Sequence, residues 1–200
     1  MVLRNISFLI LTVSIVGCTS KKDIYTTPTF SKDGSLNCVI EIPAGTNKKI
    51  EFNTKTNSFE VDQRNGEDRI ISFLPYPGNY GFVPSTLSNT SKGGDGDALD
   101  ILLISESLPT GTIVEVIPIG LLKLLDNGEY DYKIICTPKD SKKRIIDATT
   151  YSAFSKKYSH AKDIIASWFL HYDIGGDTLT NEGWGDEKEA LEEIRKSLKT

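Results

Sequence analysis

The feature that most constrains the fold of this chain is a succession of short β-like segments in residues 36–138, separated by turn residues. Glycine, proline and asparagine mark the turns, as in Pro43-Ala44-Gly45, Asn65-Gly66 and Asp126-Asn127-Gly128. Many short strands at this spacing favour a closed barrel or a sandwich. The predicted strands are residues 36–42, 48–53, 59–61, 69–74, 101–106, 113–125 and 130–137.

The pattern becomes helical after the last predicted strand. Apolar side chains recur at steps of three and four between Phe154 and Tyr172, which predicts one helix of about five turns. A second helix is predicted near the end of the chain, because Asp186 and Glu189 have the spacing of a capping box before Ala190. Strands followed by helices indicate an α+β protein. With 38% hydrophobic and 25% charged residues, the chain suits one globular domain.

The first residues have the pattern of a bacterial lipoprotein signal. Arg4 precedes an apolar run over residues 6–16 that is too short to span a bilayer comfortably. The sequence Ile15-Val16-Gly17-Cys18 resembles a lipobox, in which cleavage leaves the cysteine first and lipid is attached to it. The alternative is an ordinary buried helix with a chance cysteine. We expect a signal peptide over residues 1–17, a lipid-anchored tether over 18–35 and a folded domain over 36–200.

These assignments predict an exported protein that is anchored by lipid to a bacterial cell membrane, or a cytoplasmic one if the signal is not used. Removal of residues 1–17 takes away Arg4, so the formal charge changes from −4 to −5. No large basic patch remains, and nucleic acid is therefore not an expected partner. Cys38 and Cys136 each lie in a predicted strand. Export would permit a disulfide, but two buried free thiols are the favoured state.

The residues richest in chemistry are Asp95-Gly96-Asp97-Ala98-Leu99-Asp100, which precede an apolar strand. Three carboxylates this close repel one another unless a cation lies between them. One alternative is a solvated acidic turn. Another is a structural calcium site, but the EF-hand form fails on spacing because Leu99 and Asp100 occupy its fifth and sixth positions. Mg²⁺, which prefers oxygen ligands, matches the many carboxylates and the lack of a histidine cluster.

The acidic run belongs to an ordered set of segments. Its D-x-D-x-x-D pattern is accompanied by Val39-Ile40-Glu41-Ile42-Pro43-Ala44, Lys49-Ile50-Glu51, Tyr76-Pro77-Gly78-Asn79-Tyr80-Gly81-Phe82, Gly120-Leu121-Leu122-Lys123-Leu124-Leu125-Asp126 and Asp131-Tyr132-Lys133. In this order the segments resemble the family I soluble inorganic pyrophosphatases. The resemblance implies a small closed β-barrel of the OB-like type, with about five core strands plus hairpins and two C-terminal helices.

The resemblance also implies a reaction and a set of roles. It implies Mg²⁺-dependent hydrolysis of pyrophosphate to two phosphates, in which metal-activated water attacks phosphorus. Asp97 matches the general base of that family. The positions that match metal ligands are Asp95, Asp100, Asp126 and Asp131, with Glu51 as a weaker candidate. The positions that match phosphate contacts are Lys49, Arg69, Tyr80, Lys133 and Tyr172, with Arg64 close to Arg69 in the same segment.

Two positions depart from the family pattern. Asp173 stands where a basic residue is common, and Asn127 stands where an acidic one is common. Asp173 would repel an anionic product unless Lys156, Lys157 or Lys162 compensates, or else phosphate is held less tightly. His160 and His171 form no zinc pattern, and we expect both on the surface or at a helix edge.

Two other functions compete with this one. The first is a calcium-binding structural lipoprotein, and the second is a family member whose activity has moved to another phosphoanhydride or been lost. The expected partners are pyrophosphate, phosphate and a membrane reached through the lipid on Cys18. A homo-oligomer is also implied by the resemblance, since bacterial relatives commonly form hexamers.

Overall fold

The computed structural model describes residues 24, 27–174 and 179–199. The predicted signal peptide over residues 1–17 and the predicted lipidation site at Cys18 lie outside these residues. No helix within the described ranges combines the length and the apolar character needed to cross a membrane.

The described residues form eleven strands and three α-helices. The strands are β1 (Leu36–Ile42), β2 (Ile50–Asn53), β3 (Ser58–Val61), β4 (Gln63–Arg64), β5 (Glu67–Asp68), β6 (Asn79–Phe82), β7 (Asp100–Leu103), β8 (Ile113–Asp126), β9 (Glu129–Tyr130), β10 (Lys133–Pro138) and β11 (Leu179–Gly185). The helices are α1 (Tyr151–Lys157), α2 (Ser159–His171) and α3 (Glu187–Lys196).

Five of the strands close into a ring, which confirms the predicted small β-barrel. The strands are hydrogen-bonded in the order β1, β6, β7, β10 and β8, and β8 pairs again with β1 to complete the circle. Within the ring β7 and β10 run parallel, whereas the other pairs are antiparallel. Strand β8 is long enough to pair with β1 near its start and with β11 and β9 near its end.

Both faces of the central strands are covered, which explains their predominantly apolar sequences. Every residue of β1 and of β10 is buried. Ile134 and Cys136 belong to the same buried cluster as Ile194 of α3, whereas Ile135, on the opposite face, belongs to the cluster that contains Trp168 of α2. Cys136 and Cys38 are both buried free thiols, as predicted.

The helical segment is divided differently from the prediction. The single predicted helix is broken at Tyr158, whose backbone leaves the helical region with φ −130° and ψ 36°. The apolar stripe continues across the break, and its sequence period does not reveal the interruption. The predicted cap of the last helix is confirmed, because Asp186 accepts hydrogen bonds from the backbone N–H groups of Lys188 and Glu189. Glu189 itself pairs with Lys123 instead of completing a capping box.

One predicted strand is absent, and two strands of the main sheet were missed. Residues 69–74 form no strand beyond a single bridge between Ile70 and Lys48, and prolines follow at Pro75 and Pro77. Residues 79–82, predicted as part of a turn, form β6 and help to close the barrel. Strand β11 was missed because its polar sequence, Leu179 to Gly185, contains a bulge and reads as a loop.

Part of the predicted tether over residues 18–35 contacts the barrel. Thr29 is buried and its hydroxyl donates a hydrogen bond to the Pro84 carbonyl at 2.7 Å. The Asn37 side chain donates to the Pro28 carbonyl, and Phe30 bridges to Leu36. The described part of this segment therefore packs as part of the folded domain.

Candidate active site

The acidic loop is shaped by two of its glycines. Gly96 has φ +90°, a conformation that side chains other than glycine rarely adopt. A Cβ at Gly94 would lie 2.2 Å from the Ser88 hydroxyl, so only glycine fits this close approach. The Asp97 N–H donates to the Asp95 carboxylate at 2.9 Å, which fixes the two acids relative to each other. The loop thus presents its carboxylates just before β7.

A second acidic segment approaches this loop from the hairpin between β8 and β9. Its turn has Asn127 at φ +50° and Gly128 at φ +91°, the backbone that an Asn-Gly pair favours. Asparagine at position 127, where the family pattern commonly has an acidic residue, therefore suits the backbone of this turn. The Tyr130 N–H donates to the Gly93 carbonyl at 2.6 Å and joins the hairpin to the acidic loop.

These segments enclose a cavity of about 190 Å³. Part of its wall is acidic, and part carries ammonium groups, phenols and a phenyl ring. The cavity is lined by Lys49, Ile50, Glu51, Tyr76, Tyr80, Asp95, Asp97, Asp100, Asp126, Glu129, Asp131, Lys133, Phe169 and Tyr172. The structure thus brings together every site residue predicted in the described ranges except Arg69.

Lys133 is the buried cation of the cavity. Its residue is only 5% exposed, and its ammonium donates hydrogen bonds to Asp100 and Asp131 and, at 3.3 Å, to the Tyr80 hydroxyl. Burial disfavours its charge, but the two carboxylates outweigh burial and raise the pKa of Lys133. Burial also raises the pKa of Asp100, although Lys133 acts in the opposite direction.

Asp97 has the electrostatic environment expected of a proton acceptor. Partial burial raises the pKa of its carboxyl above the ordinary value, and the negative charges of Asp95 and Glu51 raise it further. A carboxylate with a raised pKa is a stronger base than an exposed aspartate. Asp97 also lines a neighbouring cavity of about 590 Å³, so its side chain borders both cavities.

The donor set of the cavity suits a hard divalent cation, because its oxygen ligands are aspartate and glutamate carboxylates. Among the described residues, however, no three carboxylate, imidazole or thiol groups converge closely enough to hold one metal ion as they stand. Lys133 lies between Asp100 and Asp131 and binds the oxygens that a metal would use. The residues therefore fit a metal by their chemistry, and side-chain rotation would be needed to complete its coordination.

Arg69 lies beside the cavity and not in its lining. Its guanidinium donates to Asp62 at 3.3 Å and to Asp173 at 2.6 Å, and it lines an adjoining cavity of about 240 Å³. Tyr172 lines both cavities and its ring stacks on Trp168, with the ring centroids 4.8 Å apart. Tyr172 therefore borders both the acidic cavity and the adjoining cavity that Arg69 lines.

Two arginines pair with Asp173, in place of the lysine compensation that was one of the alternatives left open by the sequence. Arg64 donates two hydrogen bonds to the Asp173 carboxylate, at 3.0 and 2.8 Å, and Arg69 donates a third. Lys157 instead pairs with Asp147, and Lys162 lies over the rings of Tyr151 and Trp184. Two arginines that are distant in sequence therefore provide the compensating charge.

Sequence reasoning missed several lining residues. Glu129 lies in the same hairpin as Asp126 and Asp131, and that spacing was an available signal. Tyr76 lies in a turn segment and Phe169 in the apolar helical stripe, and neither pattern marks them as lining residues. Both predicted surface histidines, at positions 160 and 171, are exposed as expected.

Glu41 is a further carboxyl near the site that sequence reasoning did not assign. Burial raises its pKa from 4.5 to about 8, although the hydrogen bond it accepts from the Phe52 N–H acts in the opposite direction. The negative charges of Asp100 and Glu51 raise it further. Glu41 is therefore a neutral acid at neutral pH in this structure.

Comparison with known proteins identifies close sequence relatives of this chain. A family profile described as Inorganic pyrophosphatase matches residues 38–200. An inorganic pyrophosphatase from Neisseria meningitidis serogroup B is 39% identical over 175 residues, covering 86% of this chain and 92% of the relative. An inorganic pyrophosphatase from Haemophilus influenzae is 37% identical over 174 residues, covering 83% of this chain and 89% of the relative.

Solved structures give the same result at the level of the fold. The inorganic pyrophosphatase from Thermus thermophilus superposes with a TM-score of 0.74 at 29% identity and covers 88% of this chain and 97% of its own. An inorganic pyrophosphatase from Neisseria gonorrhoeae gives a TM-score of 0.67 at 34% identity and covers 91% of this chain and 95% of its own. The similarity therefore extends over nearly all of the described barrel and helices.

Proposed function

This chain belongs to the inorganic pyrophosphatase family and hydrolyses pyrophosphate to two phosphates, and we propose that it does so in the acidic cavity with Asp97 as the general base. The observation that carries this assignment is the meeting of an acidic wall with a wall of ammonium and phenol groups in one cavity. The alternatives of a calcium-binding structural lipoprotein and of a drifted phosphoanhydride hydrolase are not favoured by this membership.

Asp97 accepts the proton that the attacking water loses. The raised pKa of this carboxyl makes it a stronger base, and its exposed position at the opening leaves it accessible to water. The neighbouring Asp95 orients the loop by accepting the Asp97 N–H, so the two acids have different tasks.

The part of the wall that carries ammonium and phenol groups binds the phosphate groups. Lys133 and Lys49 supply positive charge, while Tyr80 and Tyr172 supply hydroxyl donors toward phosphate oxygens. Arg69 supplies a further cation from the adjoining cavity, beside Tyr172. These groups neutralise and orient pyrophosphate so that one phosphorus faces the water near Asp97.

We assign the metal to Mg²⁺, held by Asp95, Asp100, Asp126 and Asp131, with Glu51 as a weaker ligand. Support comes from their carboxylate chemistry and from their common cavity. Bound Mg²⁺ neutralises phosphate charge and makes water more acidic. Lys133 would then give up part of its contact with Asp100 and Asp131 and become available to the substrate.

Phosphate release by the full chain tests this function. We expect hydrolysis of pyrophosphate that requires Mg²⁺ and stops with a chelator, and much slower release from ADP or ATP. Equal or faster release from the nucleotides would support the drifted hydrolase, and calcium binding without hydrolysis under any metal would support the structural lipoprotein. Parallel assays with Mn²⁺ and Zn²⁺ would test the assignment of the metal.

We further propose that residues 1–17 direct export and that Cys18 carries the lipid that anchors the enzyme to a bacterial membrane. The support is the order of Arg4, the apolar run over residues 6–16 and the small residue before Cys18. Labelled-lipid incorporation is expected in the wild type and lost in Cys18→Ser. Label that persists in this variant would reject the assignment, and the location would be cytoplasmic if the signal is not used.

A homo-oligomer, as a hexamer, is proposed on the basis of the family resemblance alone. Exposed apolar side chains such as Ile164 and Leu74, on the α2 side of the barrel, are compatible with subunit contacts. The molar mass in solution, measured by light scattering for the unlipidated Cys18→Ser chain, tests it. A mass near the 22.1 kDa of one chain would contradict it.

A further inference from the structure

Asp173 connects two arginines at the edge of the phosphate-binding wall. Its carboxylate accepts two hydrogen bonds from Arg64 and one from Arg69, and its side chain is only 13% exposed. Arg69 is held from its other side by Asp62 at 3.3 Å. The guanidinium of Arg69 therefore lies between two carboxylates.

The four side chains of this group carry equal numbers of positive and negative charges, and Asp62 also lies 3.9 Å from the Lys49 ammonium. Arg64 and Arg69 contribute two positive charges, and Asp62 and Asp173 contribute two negative ones. A phosphate that approaches Arg69 competes with two carboxylates that already accept hydrogen bonds from its guanidinium, and it meets the negative charge of Asp173. The contribution of Arg69 to phosphate affinity is thereby reduced.

Arg64 has a distinct part in this arrangement. It lies on β4 in the hairpin with β5, whereas Asp173 follows α2, so the pair joins elements that are 109 residues apart in sequence. Its two hydrogen bonds occupy both oxygens of Asp173. Without Arg64, the full negative charge of Asp173 would act on Arg69 and on an approaching phosphate.

We propose that Asp173 is a positioning residue that holds Arg69 toward the adjoining cavity and so weakens the binding of phosphate, which speeds its release after hydrolysis. This inference rests on the proposed role of Arg69 as a phosphate contact. It gives a function to the acidic residue that replaces the expected basic one after Tyr172. The enzyme holds its product loosely because an internal anion competes with that product for the same guanidinium.

The test uses the full-length protein and its inhibition by inorganic phosphate. Asp173→Asn keeps the shape of the side chain and removes its charge. We expect the inhibition constant for phosphate and the KM for pyrophosphate to fall about fivefold to tenfold, with kcat unchanged or lower. Arg64→Gln is expected to act in the opposite direction, raising both constants, and the double variant is expected to resemble Asp173→Asn.

Asp147→Asn is the matched control, because Asp147 also pairs with a basic residue but is exposed and far from the cavity lining. It is expected to leave all three constants unchanged. Calorimetric titration with phosphate measures the same change without turnover. A merely structural role for Asp173 would lower the melting temperature without tightening phosphate binding, and unchanged or weaker binding in Asp173→Asn would overturn the inference.

Arg69→Gln separates this inference from the proposed function. If Arg69→Gln weakens phosphate binding while Asp173→Asn changes nothing, the phosphate role of Arg69 stands and the inference about Asp173 fails. If Arg69→Gln has no effect on phosphate binding, both fail. Should Asp173→Asn not fold, the expected rise of both constants in Arg64→Gln still decides the question.

Discussion

Asp100 and Lys133 are direct register partners on the parallel strands β7 and β10, and the Lys133 ammonium donates a hydrogen bond to the Asp100 carboxylate. This places a buried cation against the acid that ends the D-x-D-x-x-D pattern. Asp131, two residues before Lys133, binds the same ammonium. One pairing in the barrel therefore brings Lys133 together with two carboxylates of the candidate site.

Replacing Lys133 by Met is expected to destabilise the protein, because two carboxylates would lose their buried counter-charge. Removing one partner of a buried ion pair costs about 3 kcal/mol or more. Urea unfolding in chelator measures the loss of unfolding free energy, and added Mg²⁺ is expected to restore more stability to this variant than to the wild type. Lys123→Met, which removes a surface pair with Glu189, is the control and is expected to cost less than about 1 kcal/mol. Equal losses of unfolding free energy in Lys133→Met and Lys123→Met would mean that the buried pairs of Lys133 contribute no more to stability than a surface pair.

Replacing Glu41 by Gln is expected to change how stability depends on pH. Between pH 4.5 and about 8 the unfolded chain has ionised this carboxyl while the native protein keeps it protonated, so stability falls as pH rises. The contribution is at most about 1.4 kcal/mol per pH unit. Glu41→Gln removes it, and the variant is expected to gain on the wild type from pH 5 to pH 8.

Urea unfolding across that pH range, in chelator, measures this gain. Glu67→Gln, at an exposed position on β5, is the control and is expected to leave the profile unchanged. A constant difference between Glu41→Gln and the wild type at all pH values would show that burial does not keep Glu41 protonated.

Replacing Asn79 by Ala is expected to weaken the barrel beside Tyr80. The Asn79 side chain is fully buried, accepts from the Ala44 and Leu108 N–H groups and donates to the Ser105 hydroxyl and the Glu106 carbonyl. Leaving such groups unsatisfied costs about 2 to 4 kcal/mol in total. Denaturant unfolding measures this loss.

Asn47→Ala, at an exposed position, is the control for Asn79→Ala and is expected to change stability by less than about 0.5 kcal/mol. A similarly small loss in Asn79→Ala would mean that its hydrogen bonds contribute little. A large loss accompanied by a higher KM would link this anchor to the position of Tyr80.

The sequence predicted the structure correctly where a residue pattern is compatible with only one kind of local structure. β1 has the predicted bounds because its mostly apolar run is buried throughout, and the acidic loop was found because three carboxylates fall within six residues. β6 was missed because Pro77, Gly78 and Asn79 have the composition of a turn, although Asn79 is used as a buried hydrogen-bonding anchor. Tyr158 breaks the predicted helix without disturbing its apolar period.

The parts of the site that escaped prediction depend on contacts between distant residues. A lysine on a strand is usually solvated, and Lys133 is buried only because β10 pairs with β7 in parallel. Asp173 was expected to repel phosphate, but its two arginines come from the segment around β4 and β5, more than 100 residues earlier. The sequence does not show which distant charges will meet.

Single-turnover cleavage of pyrophosphate by the full chain carrying Asp97→Asn, with Mg²⁺ present, tests the role of Asp97 directly. We expect the variant to bind pyrophosphate but to cleave it about 100-fold or more slowly, since a general base typically contributes that much. Asp163→Asn, an exposed position on α2, is expected to cleave at the wild-type rate. Cleavage by Asp97→Asn at the wild-type rate would contradict the assignment of Asp97 as the base.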